Sequence, residues 1–119
     1  LAARPGWRGV LVEPRQKRWA FLRLVVRELD LQAEVLPRRF EELGPDTGPL
    51  DVVVARALGR YGELLRWAGP RLAPGGRVLL WLGAEEARSL ESLERWRVVL
   101  SPLPDLERGV LAVFQPCFT

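Results

Sequence analysis

Hydrophobic and polar positions along this chain follow two alternating periods. Gly9-Val10-Leu11-Val12-Glu13 is a short apolar run closed by a single acid, the pattern of a buried strand. From Arg15 the period becomes helical. Phe21, Leu22, Val25, Val26 and Leu29 form one apolar stripe, with Arg15, Arg23, Arg27 and Glu28 largely off it. Gln32 to Leu36 reads as a second short strand, Phe40-Glu41-Glu42-Leu43 as one or two helical turns, and Gly44 to Pro49 as loop by composition. Leu50-Asp51-Val52-Val53-Val54-Ala55 is a strand, β-branched and apolar on both faces. The spacing then predicts a helix over Gly59–Leu72 with Leu64, Leu65, Ala68 and Leu72 inward, and a turn at Ala73-Pro74-Gly75-Gly76. A strand over Arg77–Leu82 and a charged helix over Ala84–Glu94 follow. Trp96–Leu100 and Val110–Phe114 read as the last two strands, joined by an antiparallel return through Ser101-Pro102-Leu103-Pro104-Asp105. At the start, Leu1 to Pro5 looks like the tail of a helix cut off by Pro5 and Gly6.

Strands therefore alternate with helices until two strands close the chain. The first four strands are nearly continuous apolar runs, as expected where helices cover both faces of a parallel sheet. The fold class is α/β, an open and mostly parallel sheet with an antiparallel addition at one end. The length of 119 residues fits one domain.

Composition narrows the chemistry. The chain is 48% hydrophobic, enough for a core. No apolar run approaches the roughly 18 residues of a membrane span, and the first residues lack the pattern of a secretory signal. A soluble, cytoplasmic domain is the expectation. Cys117 is the only cysteine, so no intramolecular disulfide can form and a structural zinc site is disfavoured. There is no histidine, which excludes serine–histidine and cysteine–histidine catalysis within the chain. Of the 18 basic residues all but Lys17 are arginine, and the formal net charge is +3. That bias suits nucleic-acid phosphate. It equally suits a GC-rich genome that writes arginine for every positive charge, and the 15 acids are interspersed so that no basic block forms.

In open α/β sheets ligands collect at the carboxyl ends of the strands. Glu13 sits at such an end, where a carboxylate can accept hydrogen bonds from two ribose hydroxyls. The alternative is that it caps or neutralises the start of the basic helix. Glu41 and Arg56 lie near later strand ends, so the three could converge on one rim. Their plain alternatives are a solvated helix acid and a surface ion pair with Asp51 or Glu63.

These residues carry a resemblance. Val12-Glu13 followed by Lys17-Arg18 and Phe21-Leu22, then Arg39-Phe40-Glu41-Glu42, then Asp51-Val52-Val53-Val54-Ala55-Arg56-Ala57, then Leu72-Ala73-Pro74-Gly75-Gly76, is similar to the glucose-inhibited division protein B family. These are bacterial 16S ribosomal RNA 7-methylguanosine methyltransferases. The similarity runs from about Ala3 to Phe114. Its most specific pieces are Lys-Arg-x-x-Phe-Leu and the Ala-Arg-Ala after the Asp51 strand; the Pro-Gly-Gly turn is common to many methyltransferases. The resemblance implies a class I, Rossmann-like sheet binding S-adenosylmethionine. It places Glu13 on the cofactor ribose, Phe40 and Glu41 beside the adenine, and Arg56 near the methionine end or the incoming guanine. It offers Lys17 and Arg18 to RNA phosphate, against a solvated helix face. Positioning carries most of such a reaction, and guanine N7 is nucleophilic without losing a proton, so the missing histidine is no obstacle.

Two departures bear on function. The family's first strand and its glycine-rich loop would precede Leu1 and are absent. The chain therefore reads as the C-terminal part of a longer domain, and the missing methionine agrees. Without that central strand, the Glu13 strand must pair directly with the Asp51–Ala55 strand, or two edges stay open. Open edges would also allow a homo-oligomer. In the second departure, Leu82 stands where the family has a lysine before a glycine. Three functions follow: a ribosomal RNA methyltransferase or a piece of one; a non-catalytic RNA- or protein-binding relic of that fold; and, more remotely, a nucleotide-binding oxidoreductase, for which no Gly-x-Gly-x-x-Gly is present. Trp81 and Trp96 read as core, Trp19 and Trp67 as covering helix–sheet contacts, and Trp7 as a cover for an open end.

Overall fold

A computed structural model describes residues 6–56, 59–91, 93–102 and 109–117. The expected helix tail at Leu1–Pro5, the Leu103-Pro104-Asp105 part of the return and Ala57 lie outside the described residues. The elements run β1 (Gly9–Val12), α1 (Gln16–Glu28), β2 (Ala33–Leu36), a 3-10 turn (Phe40–Glu42), β3 (Leu50–Arg56) and α2 (Tyr61–Ala68). A second 3-10 turn (Gly69–Arg71), β4 (Leu72–Gly83), α3 (Ala84–Glu91), β5 (Trp96–Pro102) and β6 (Gly109–Pro116) complete them. They form two compact units, Leu1–Pro45 and Asp46–Thr119.

In the first unit β1 and β2 pair in parallel, from Gly9 opposite Ala33 to Val12 opposite Leu36, with α1 as their crossover. Trp19 anchors α1, donating its indole N–H to the Val35 carbonyl at 2.9 Å. The apolar stripe expected of α1 is only partly covered. Leu22, Val25 and Val26 are half-buried, whereas Phe21 is 62% and Leu29 59% exposed. Strands lie only about 5 Å apart, so a two-stranded sheet is too narrow for a stripe that wide.

The second unit is a four-stranded sheet in the order β3-β4-β6-β5. β3 and β4 are parallel; β6 is antiparallel to both β4 and β5. Val78, Leu80 and Leu82 of β4 and Ala112 and Phe114 of β6 share one face by register, and all are buried. Against it α2 brings Tyr61, Leu64, Leu65 and Ala68, spaced i, i+3, i+4, i+7, and α3 brings Ala87. Phe114, Leu65, Leu80 and Val78 are the largest fully buried side chains. Each contributes roughly 1.5–3 kcal/mol of apolar burial.

Two boundaries differ from the pattern. The helix expected to reach Leu72 stops at Ala68 and tightens into the 3-10 turn Gly69–Arg71, where Pro70 has no N–H to continue the i to i−4 ladder although Gly69 before it keeps α conformation. Leu72 is consequently a strand residue, half-buried, instead of the last inward position of a helix. The expected turn at Ala73–Gly76 is an irregularity inside β4: Leu50 pairs with Leu72 but Val52 with Arg77. Gly75 takes φ 81°, and a Cβ on Gly76 would lie 2.9 Å from the Ala73 carbonyl oxygen and 3.0 Å from that of Leu50. Both glycines are therefore required by backbone geometry. Neither β1 nor β3 pairs with the other: β1 pairs with β2 alone and β3 with β4 alone, which leaves an open edge on each among the described residues. Among those residues no helix is long and apolar enough to cross a membrane.

Candidate functional site

The first unit carries a rim at the carboxyl ends of its two strands. Because Val12 and Leu36 are opposite one another, the chain leaves both strands at the same level. Glu13 follows β1 directly; its backbone N–H still donates to the Leu36 carbonyl at 3.0 Å. That bond fixes the backbone of the acid at the sheet's edge. The side chain is half-buried, and its Oε1 accepts the backbone N–H of Arg15 at 3.0 Å. Arg15 is the residue that caps α1, and its own side chain makes no capping bond. The capping role weighed for Glu13 is thus present. It engages one carboxylate oxygen, and a carboxylate has about four acceptor positions over its two oxygens.

Beyond β2, the 3-10 turn presents the second half of this rim. Phe40 is buried, at 7% exposure, and Glu41 beside it is exposed. The turn is held by Glu42, whose Oε1 accepts the Arg39 backbone N–H at 2.8 Å while its own backbone N–H donates to the Arg39 carbonyl at 3.0 Å. The sequence reading singled out Phe40 and Glu41 and missed this role of Glu42. Its signal is an acid three residues after Arg39, the residue that precedes the turn, which is the spacing of a reciprocal cap.

Lys17 and Arg18 stand in the first turn of α1, both exposed. No acid occupies that turn. The positive end of the helix dipole therefore lies among Arg15, Lys17 and Arg18, an arrangement that repels cations and favours an anion. Further along, Arg23 stacks over the Trp19 ring at 4.8 Å, which occupies that tryptophan structurally.

Arg56 belongs to the second unit. It is the last residue of β3, exposed, and paired in register with Trp81 of β4. It thus stands at the carboxyl end of a parallel strand pair, as Glu13 does in the first unit. Glu63, one of its expected ionic partners, is bridged by Arg60 at 3.3 Å. Leu82, at the family's lysine position, is 3% exposed and faces the core side of β4. Trp96 packs edge-on against Phe114 with ring centroids 6.2 Å apart, while Trp81 is half-buried and Trp7 is 57% exposed. Arg71 stacks over Trp67 at 4.6 Å and donates to its carbonyl at 2.8 Å. Among the described residues no group of three or more acids, cysteines or histidines could hold a metal ion.

Comparison with known proteins gives this geometry a context. Among solved structures, an rRNA methylase from Streptococcus thermophilus superposes with a TM-score of 0.75 at 16% identity, covering 97% of this chain and 78% of that one. A precorrin-6y C5,15-methyltransferase from Geobacter metallireducens gives 0.74 at 16% identity, over 92% of this chain and 67% of its own. The fold is that of class I S-adenosylmethionine-dependent methyltransferases. By sequence, the chain is 37% identical over 95 residues to a ribosomal RNA small subunit methyltransferase G of Mycolicibacterium gilvum, covering 78% of this chain and 42% of the relative. It is 39% identical over 103 residues to the protein of that name from Cereibacter sphaeroides, covering 86% and 49%. The chain thus spans about half the length of these relatives, or less. The family model described as GidB, rRNA small subunit methyltransferase G, matches residues 2–102, and the chain belongs to that family.

Proposed function

We propose that this chain works as part of an S-adenosylmethionine-dependent methyltransferase acting on ribosomal RNA, at guanine N7 of the 16S molecule. The observation that carries the reading is the rim of Glu13, Phe40 and Glu41 at the carboxyl ends of β1 and β2, in a chain of this family. A strand-end acid with its backbone fixed and one oxygen already bound to Arg15 N–H fits a vicinal diol: it is acceptor-only, and the carboxylate has lone pairs to spare. Glu13 would hold the ribose hydroxyls. Phe40 would supply an apolar surface and Glu41 polar contacts at the adenine. Arg56, exposed at the end of β3, would stand toward the methionine carboxylate or the incoming guanine. When bound, the sulfonium cofactor supplies an electrophilic methyl group and its own leaving group. The protein's part is then orientation and exclusion of competing geometries, with no proton to remove from N7. Lys17 and Arg18 would meet RNA phosphate at the positive end of α1. Activity in the cytoplasm, where ribosomes are built, accompanies this reading.

A second reading, a non-catalytic relic, is favoured by Leu82: an aliphatic side chain buried in the core stands where the family has a cation. Titration calorimetry of this chain with S-adenosylhomocysteine separates the two. Micromolar binding that Glu13→Gln weakens supports the methyltransferase rim, and labelled methyl transfer to small-subunit RNA then tests the reaction. Absence of binding together with retained RNA affinity would leave the relic. A chain whose exposed edges pair two copies would show a dimer mass in light scattering, independently of either result.

A further inference from the structure

The 3-10 turn that carries half of the rim is short. It spans three residues, Phe40–Glu42, and its backbone bonds run from the Glu42 N–H to the Arg39 carbonyl at 3.0 Å and from the Leu43 N–H to the Phe40 carbonyl at 3.1 Å. Bonds of this kind are poorly aligned, and a first helical turn fixes several dihedral angles for each bond gained. Burial pins Phe40, whereas Arg39, Glu41 and Glu42 are exposed. A further tie is the Glu42 carboxylate, whose Oε1 accepts the Arg39 backbone N–H at 2.8 Å. That length is typical of a charge-assisted bond, and such bonds are roughly twice as strong as neutral ones.

The turn sets the angle between Phe40 and Glu41. Successive side chains stand about 120° apart around a 3-10 helix, whereas they point to opposite faces of an extended chain. With Phe40 held by burial, unwinding the turn re-aims Glu41. An apolar ring surface tolerates a change of angle. A polar contact to the edge of a base does not, because a hydrogen bond weakens steeply off its axis. Adenine presents an amino group at C6, which donates to a carboxylate. Hypoxanthine presents a carbonyl oxygen there, which a carboxylate repels.

We propose that Glu42 is a positioning residue of the cofactor site: by closing the turn onto the Arg39 N–H it aims Glu41 at the base, and so sets the preference for adenine over hypoxanthine. The inference rests on the reading of Phe40 and Glu41 as the adenine contacts. Glu42 acts through Glu41 and touches no cofactor atom. A ligand that needs the closed turn binds more weakly in proportion to the fraction of chains that have it closed.

The test titrates the parent chain, Glu42→Ala, Glu42→Gln and Glu13→Gln with S-adenosylhomocysteine and with S-inosylhomocysteine by calorimetry. Alanine removes the acceptor, while glutamine keeps a carbonyl oxygen that can take the Arg39 N–H. Glu42→Ala should bind S-adenosylhomocysteine about tenfold more weakly and the inosyl analogue as the parent does, and Glu42→Gln should return to within about threefold of the parent. Circular dichroism stays unchanged, since an exposed position tolerates alanine. Without ligand, hydrogen exchange at the Glu42 and Leu43 amides quickens several-fold in Glu42→Ala and slows again in Glu42→Gln. Equal weakening of both ligands overturns the proposal, because the acid then only steadies its unit. So does unchanged affinity, unchanged amide exchange, or no recovery with glutamine. Weaker binding by Glu13→Gln beside full affinity in Glu42→Ala rejects this inference and leaves the cofactor reading standing. A parent chain that binds neither ligand rejects the cofactor reading, and this inference with it.

Discussion

Glu13→Gln separates two roles that the geometry assigns to one side chain. In the folded chain Oε1 accepts the Arg15 N–H at 3.0 Å. A glutamine carbonyl can accept the same bond, so the variant exchanges a charge-assisted bond for a neutral one and loses the attraction of a carboxylate for the start of α1. Charge-assisted bonds contribute about 1.5–3 kcal/mol and neutral ones about 0.5–1.5, and the dipole term is about 0.3–1 kcal/mol. For a half-buried group the stability loss is then about 1 kcal/mol, read as a small shift in a urea or thermal midpoint. Cofactor affinity should respond more strongly. Two ribose hydroxyls donating to an ionised acceptor would each lose the charge, and one would face an amide N–H₂ that cannot accept. A loss of about 1.5–3 kcal/mol corresponds to roughly ten- to a hundredfold in Kd. Calorimetry with S-adenosylhomocysteine on the parent chain and on Glu13→Gln measures it directly. Affinity within about twofold of the parent, alongside the expected small stability change, would refute the ribose role and leave Glu13 as a helix cap.

Three further outcomes test other parts of the molecule. Replacing Lys17 and Arg18 together by glutamine should weaken RNA binding for all sequences alike and flatten the salt dependence by about two units in log–log slope, measured by filter binding across a salt series. Gly76→Ala should cost about 1–3 kcal/mol, because its Cβ meets two backbone carbonyl oxygens at 2.9 and 3.0 Å that cannot swing away; denaturant melts followed by β-sheet circular dichroism report it. Leu65→Ala empties a site that is 1% exposed, between α2 and the sheet, and should cost about 2–5 kcal/mol in the same melts, with a second-unit tryptophan such as Trp96 reporting the loss.

Much of this chain was written in its hydrophobic pattern. Continuous apolar runs at Gly9–Val12, Leu50–Ala55 and Arg77–Leu82 pointed to strands of a parallel sheet, since strands covered on both faces read that way, whereas the equally apolar Val110–Phe114 run pairs antiparallel. The 64, 65, 68 spacing gave the buried side of α2, since side chains one turn apart share a face; Tyr61 on the same side came only with the structure. Glu13 was legible as a candidate because one acid closing a buried strand can serve only the strand's end. Other features depended on atoms distant in sequence. The reach of the α2 region was misread because Pro70 acts through a hydrogen bond it cannot make. The strand through Gly75 and Gly76 was hidden because two glycines read locally as a turn, whereas pairing with Leu50 on one side and Val52 on the other makes them a bulge. The division of Glu13's carboxylate between Arg15 and any ligand needed coordinates. So did the row of Val54, Leu79, Val113 and Val99, which the pairing register lines up on the sheet face away from α2 and α3. Sequence gives the alternation within each strand, but only the register between strands says which faces coincide and which of them a helix covers.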